Sequence, residues 1–139
     1  MHFNLSEIDN IWAAQQGELV PACRVEPASA KEVAIVLEML KATQCHFAIK
    51  SGGHARYPGA SNTNGGVTVD LRQINTVEIA KDGMSAKVGA GSRWRDVYQI
   101  LEAQGLTVVG GRVADVGVGG LTLGGMSIFY VYLVHSHIV

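Results

Sequence analysis

The stretch Ser51-Gly52-Gly53-His54-Ala55-Arg56-Tyr57-Pro58-Gly59 holds the first residues able to do chemistry. Successive backbone N–H groups with no Cβ in front of them can form a nest for a phosphate or pyrophosphate. His54 has two readings: a hydrogen-bonded loop residue, or a nucleophilic imidazole that bonds covalently to a cofactor. The spacing G-x-G-x-x-G is absent and no Gly-Lys-Ser/Thr follows, so this is neither the dinucleotide fingerprint nor the P-loop. A second run starts at Gly110-Gly111 and continues through Val116-Gly117-Val118-Gly119-Gly120-Leu121-Thr122-Leu123-Gly124-Gly125. Glycines interleaved with Val and Leu suit a backbone lying flat against a large planar or extended ligand; the plainer reading is a loop closing a sheet. Of 17 glycines, all but Gly17 fall between Gly52 and Gly125. Glycine used only for turns would be scattered.

The elements that must position these residues follow from periodicity. Residues 6–16 read as a short helix capped by Ser6, with Ile8, Ile11 and Trp12 on one face. Residues 23–26 read as a strand ending at Pro27. Ser29 and Glu32 have capping-box spacing, and Val33, Val36, Leu37 and Leu40 follow at i, i+3, i+4, i+7, which predicts a helix to about Thr43. Residues 47–50 form a strand, so 23–50 read as a βαβ unit with a right-handed crossover. Beyond Gly66, residues 67–71 alternate as a strand, and 76–80 and 85–88 flank the turn Lys81-Asp82-Gly83 as an antiparallel pair. A second helix is expected from Ser92 to just before Gly105, its apolar face made by Trp94, Val97, Tyr98 and Leu101. Gly89-Ala90-Gly91, before it, reads as structural packing.

Composition narrows the function classes. The chain has 139 residues, 47% hydrophobic and 17% charged, enough for a packed core. Eleven Lys and Arg against 12 Asp and Glu give a net charge of −1, which argues against a nucleic-acid binder. Cys23 and Cys45 have no zinc spacing and read as reduced thiols. The first residues lack the pattern of a signal peptide, which favours the cytoplasm. The apolar run 128–134 is far short of the roughly 20 residues of a spanning helix. His135 and His137 offer only two metal ligands, so no metal site is expected.

In their order, several motifs resemble one family. They are Pro21-Ala22-Cys23-Arg24-Val25-Glu26-Pro27 with its following helix start, Lys50-Ser51-Gly52-Gly53-His54, Val69-Asp70-Leu71, Gly89-Ala90-Gly91-Ser92-Arg93-Trp94, and Val116 to Gly125. The chain resembles the PCMH-type FAD-binding domain of the vanillyl-alcohol oxidase superfamily, and within it the berberine-bridge-enzyme-like flavin oxidases. The resemblance implies an α+β fold: a βαβ subdomain followed by a mostly antiparallel β-rich subdomain with one helix. It implies FAD as cofactor, with Ser51, Gly52, Gly53, His54 and Ala55 around the pyrophosphate. Val116, Gly117, Gly119, Gly120, Gly124 and Gly125 would line the flavin and its ribityl-phosphate arm. His54 matches the histidine that many members attach to the flavin 8α-methyl carbon. Some relatives attach flavin a second time through a cysteine; Val113 stands at that position here, so no double attachment is expected. The implied activity is oxidation of a small organic substrate by hydride transfer to FAD, with O₂ as acceptor.

The resemblance covers roughly residues 12–125 and stops at Gly125. The expected organisation is an N-terminal segment 1–20, a partial FAD-binding domain 21–125 and an unrelated apolar tail 126–139. A truncated product is therefore expected, with no catalytic residue identifiable in it. The alternative reading is a non-catalytic product that binds flavin weakly or not at all, and a third is a small phosphate-binding module using the anion nest at 51–54.

Overall fold

The computed structural model describes residues 2–3 and 11–125. A four-stranded sheet has the order β1-β2-β4-β3. Its strands are β1 (His2–Phe3), β2 (Cys23–Glu26), β3 (Phe47–Lys50) and β4 (Val67–Asp70). β1 runs antiparallel to β2, while β2 and β3 both run parallel to β4. The strand–helix–strand sequence at 23–50 is present, but its two strands are not neighbours. β4, expected in the antiparallel part, inserts between them. Its Val69 is fully buried with Val25, Val36 and Leu40, which a central strand allows and an outer one would not.

The helix α2 (Ala30–Thr43) starts as its capping box predicts: Ser29 Oγ accepts from the Glu32 N–H at 3.2 Å, and Glu32 Oε2 accepts from the Ala28 N–H at 3.1 Å. Only part of the predicted apolar face is buried. Val36 and Leu40 enter the core, Val33 is half-buried, and Leu37 stays exposed.

Strand alternation turns Arg24, Thr68, Lys50 and Asp70 to the other face of the sheet. That face is buried too, but polar. The Asp70 carboxylate has no exposure and receives Arg24 Nη2 at 2.6 Å, Lys50 Nζ at 2.9 Å and Arg72 Nε at 3.2 Å. Asn62 binds the neighbouring segment, donating to the Gln16 and Leu19 carbonyls and accepting from Thr68 Oγ1 at 2.8 Å. That segment contains α1 (Ala14–Gly17). The expected helix 6–16 is corrected here: residues 6–10 lie outside the described residues, and Ile11 and Trp12 precede the helix. The Trp12 N–H is committed to the Gly53 carbonyl at 3.0 Å instead of to a helical partner.

The second half matches its reading closely. β5 (Val77–Ile79) and β6 (Ala86–Val88) pair antiparallel. Helix α3 (Trp94–Glu102) buries Trp94, Val97 and Leu101 against them, with Tyr98 half-buried. Gly105 takes φ +68° after the helix end, as a terminating glycine should. One element was not expected. Residues 118–123 form a short helix, α4 (Val118–Leu123), in the run read as backbone lying flat against a ligand or as a loop closing a sheet. Val118 and Leu121 explain it: this turn of helix puts both onto the α3 core.

Candidate functional site

The first glycine loop leaves β3 at Lys50, and the second glycine segment returns from the α3 core. The two meet backbone to backbone. A Cβ on Gly52 would collide with Gly117 N, and a Cβ on Gly117 would collide with Gly52 N and Ser51 Oγ. Both residues are buried. The Ala90 carbonyl ties the joint, accepting Ser51 Oγ at 2.6 Å and the Gly119 N–H at 3.2 Å. The Val118 N–H donates to Ser92 O at 2.9 Å, and Trp94 N–H to Val116 O at 3.1 Å. The glycines at 89 and 91 are structural, as expected: their Cβ positions fall on the Ile74 and Leu71 carbonyls.

Gly53, next in the loop, has φ +73°. Glycine adopts this left-handed conformation without strain, and a left-handed residue is one component from which an anion nest is built. Among the described residues, no hydrogen bond is made by the N–H groups of Gly53, His54 and Ala55. Gly53 is buried and the other two are half-buried, so these donors are partly shielded from water and still without a protein acceptor. Such donors fit an oxygen-rich anionic ligand.

His54 lies beside this nest. Burial lowers its pKa below the usual value; the nearby Asp115 carboxylate opposes that shift and the Arg93 guanidinium adds to it. The imidazole is thus favoured in its neutral, nucleophilic form. Asp115 itself pairs with Arg95 at 3.0 Å and with Arg93 at 3.5 Å.

The structure sorts the predicted site residues. Ser51, Gly52, Gly117 and Gly119 come together around the Ala90 carbonyl, and Val116 is bound to Trp94. Gly120, Gly124 and Gly125 do not touch the first loop. Among the described residues, a Cβ on Gly120 or Gly125 would meet nothing within 4 Å, and one on Gly124 would meet only carbonyls of its own helix. Gly120 is therefore unexplained by packing. A glycine inside a helix costs up to about 1 kcal/mol relative to alanine. Among the described residues, nothing occupies the space beside Gly120.

Sequence reasoning missed two features. One is the Asp70 ion cluster, whose signal was an acidic residue ending the alternating Val67-Thr68-Val69-Asp70 strand. The other is Trp12, stacked on His54; no sequence pattern linked residues so far apart. Among the described residues, no group of three or more His, Cys, Asp or Glu is placed to hold a metal ion, and no helix is long and apolar enough to cross a membrane.

The two glycine-rich segments meet beside a mixed sheet, and comparison with known proteins specifies the fold. The FAD binding domain family matches residues 21–134, and this chain belongs to that family. The match runs past Gly125, beyond the expected limit of the resemblance. An FAD-dependent monooxygenase of Cochliobolus heterostrophus is 51% identical over 114 residues, covering 82% of this chain and 22% of that protein. The chain spans about a fifth of the length of such curated relatives. Among solved structures, 6-hydroxy-D-nicotine oxidase of Arthrobacter nicotinovorans is 30% identical with a TM-score of 0.73, over 82% of this chain and 25% of that one. A berberine-bridge-enzyme-like protein of Physcomitrella patens is 25% identical with a TM-score of 0.72, over 81% and 25%. Glucooligosaccharide oxidase of Acremonium strictum, described as carrying a 6-S-cysteinyl, 8α-N1-histidyl FAD, shares the fold at 22% identity and a TM-score of 0.73, over 88% and 27%. The expected kinship with berberine-bridge-like flavoenzymes, the fold class and FAD as cofactor all hold.

Proposed function

We propose that this chain cradles the FAD of an oxidoreductase acting on a small organic substrate, with His54 as the covalent attachment point. The observation that carries this reading is the Gly52–Gly117 contact. It brings the nest and the second glycine segment to one place beside a half-buried imidazole. The N–H groups of Gly53, His54 and Ala55 hold the pyrophosphate, with Ser51 and Gly52 fixing the loop. Val116, Gly117 and Gly119 form the wall of the cradle, and Gly120, Gly124 and Gly125 leave room along it.

The flavin, when bound, supplies the redox chemistry, accepting a hydride from substrate and passing the electrons to dioxygen. The chain's part is to bind and orient it. His54 would supply the ring nitrogen for a covalent bond to the flavin, an oxidative attachment for which dioxygen would serve as the oxidant. The neutral imidazole favoured by burial is the form able to attack.

The test is optical. The chain incubated with FAD in air should show flavin absorbance after gel filtration. Acid precipitation should then leave the colour in the pellet, and His54→Ala should release it to the supernatant. A colourless protein refutes the cradle; colour that washes out of the unsubstituted chain refutes the attachment.

A further inference from the structure

Trp12 precedes the residues matched by the family model. Its indole stacks on the His54 imidazole, with ring centroids 5.7 Å apart and planes inclined by only 13°. The ring stays 61% exposed, so burial in a core does not account for its position. It is held from behind. The Trp12 backbone N–H donates to the Gly53 carbonyl at 3.0 Å, Ala13 and Gln16 next to it are buried, and Asn62 binds the Gln16 and Leu19 carbonyls at 2.9 and 2.8 Å. The indole therefore projects from an anchored segment across one face of the imidazole.

A reactive histidine ordinarily has its ring fixed by a hydrogen bond through its second nitrogen. Among the described residues, neither nitrogen of His54 makes one. From this we infer that Trp12 is a positioning residue: stacked on His54, it fixes the plane of the imidazole and leaves the nitrogen-bearing edge free to bond to the flavin. A hydrogen-bond partner would fix the ring but engage one nitrogen. A stacked face fixes the plane and engages neither. This inference rests on His54 being the attachment point, and the experiment separates the two.

Trp12→Leu and Trp12→Phe are compared with the unsubstituted chain and His54→Ala. The first readout needs no cofactor. An indole face shifts the His54 ring-proton resonances upfield, and they are assigned by their disappearance in His54→Ala. Trp12→Leu should remove the shift and Trp12→Phe should keep part of it. The second readout is the time course of acid-stable flavin at saturating FAD. Trp12→Leu should form the adduct about tenfold or more slowly, since loss of orientation of this kind costs roughly 10- to 100-fold. Total bound flavin should be unchanged, and Trp12→Phe should recover most of the rate. Attachment at the native rate in Trp12→Leu overturns the positioning role while leaving His54 as the attachment point. An unshifted His54 resonance in the unsubstituted chain overturns the stack itself. Absence of acid-stable flavin in the unsubstituted chain overturns both readings.

Discussion

Gly117 and Gly120 stand three residues apart in one glycine-rich run, and the chain uses them in opposite ways. Gly117 is buried, and the Gly52 backbone occupies the place a side chain would take. Gly120 is exposed, and a Cβ there would meet none of the described residues within 4 Å. The first glycine is demanded by the fold and the second is not. Glycine content alone says only that backbone approaches something. Which neighbour stands where the missing side chain would be tells which of these glycines the packing of the described residues demands.

The sharpest way to break this comparison is at the joint. Gly117→Ala forces a methyl group into the backbone of the other loop. Neither backbone can yield without moving β3 or α4, so the cost should reach or exceed about 3 kcal/mol, the upper end for overpacking. Urea unfolding should show a lower midpoint, and Gly52→Ala should behave alike because it fills the same gap from the other side. A loss below about 1 kcal/mol for both would mean that the two segments do not touch.

The opposite outcome is expected at Gly120. Gly120→Ala should leave the free protein as stable as before or raise it by up to about 1 kcal/mol, as helix propensity alone predicts. Its affinity for FAD should fall by roughly 5- to 150-fold, since a methyl group in a cradle costs on the order of 1–3 kcal/mol. Titration of FAD against the variant, beside its melting curve, reads both effects. Unchanged affinity would remove Gly120 from the cradle and leave its glycine unexplained.

Much of this was legible in the sequence, for reasons that differ by residue. Ser29 and Glu32 announced α2 because a capping box is a local interaction of four residues. The antiparallel β5–β6 pair and α3 with Gly105 were equally local. The place of the loop that carries His54 was legible because it directly follows a readable strand, β3. The position of β4 between β2 and β3 was not, because neighbours in a parallel sheet are chosen by long-range burial. The α4 helix was hidden by its own glycines: propensity opposes it, and the packing of Val118 and Leu121 prevails. The Gly52–Gly117 contact and the Trp12–His54 stack join residues distant in sequence, and no periodicity encodes such meetings.

The smallest effect tests whether the joint also sets the chemistry of His54. Burial lowers its pKa below the ordinary value of 6.5, Asp115 works against that shift, and Arg93 works with it. Both charged residues flank the second glycine segment. A lowered histidine pKa means that the unfolded chain binds a proton before the folded chain does. This contribution to stability is therefore complete above pH 6.5 and is lost as pH falls from there toward the folded pKa. His54→Ala should remove it, flattening the pH dependence of the unfolding midpoint over that window. Asp115→Asn deletes the charge that favours the imidazolium, so the His54 titration should move to lower pH. Arg93→Gln should move it to higher pH. Proton resonances of the imidazole measure both shifts, and shifts of the reverse sign would place His54 away from the joint. If the signs hold, the segment that closes on Gly52 also sets the pH at which the imidazole becomes a nucleophile. Acid-stable flavin should then form faster as pH rises through the measured pKa, and the two charge variants should displace that rise in opposite directions.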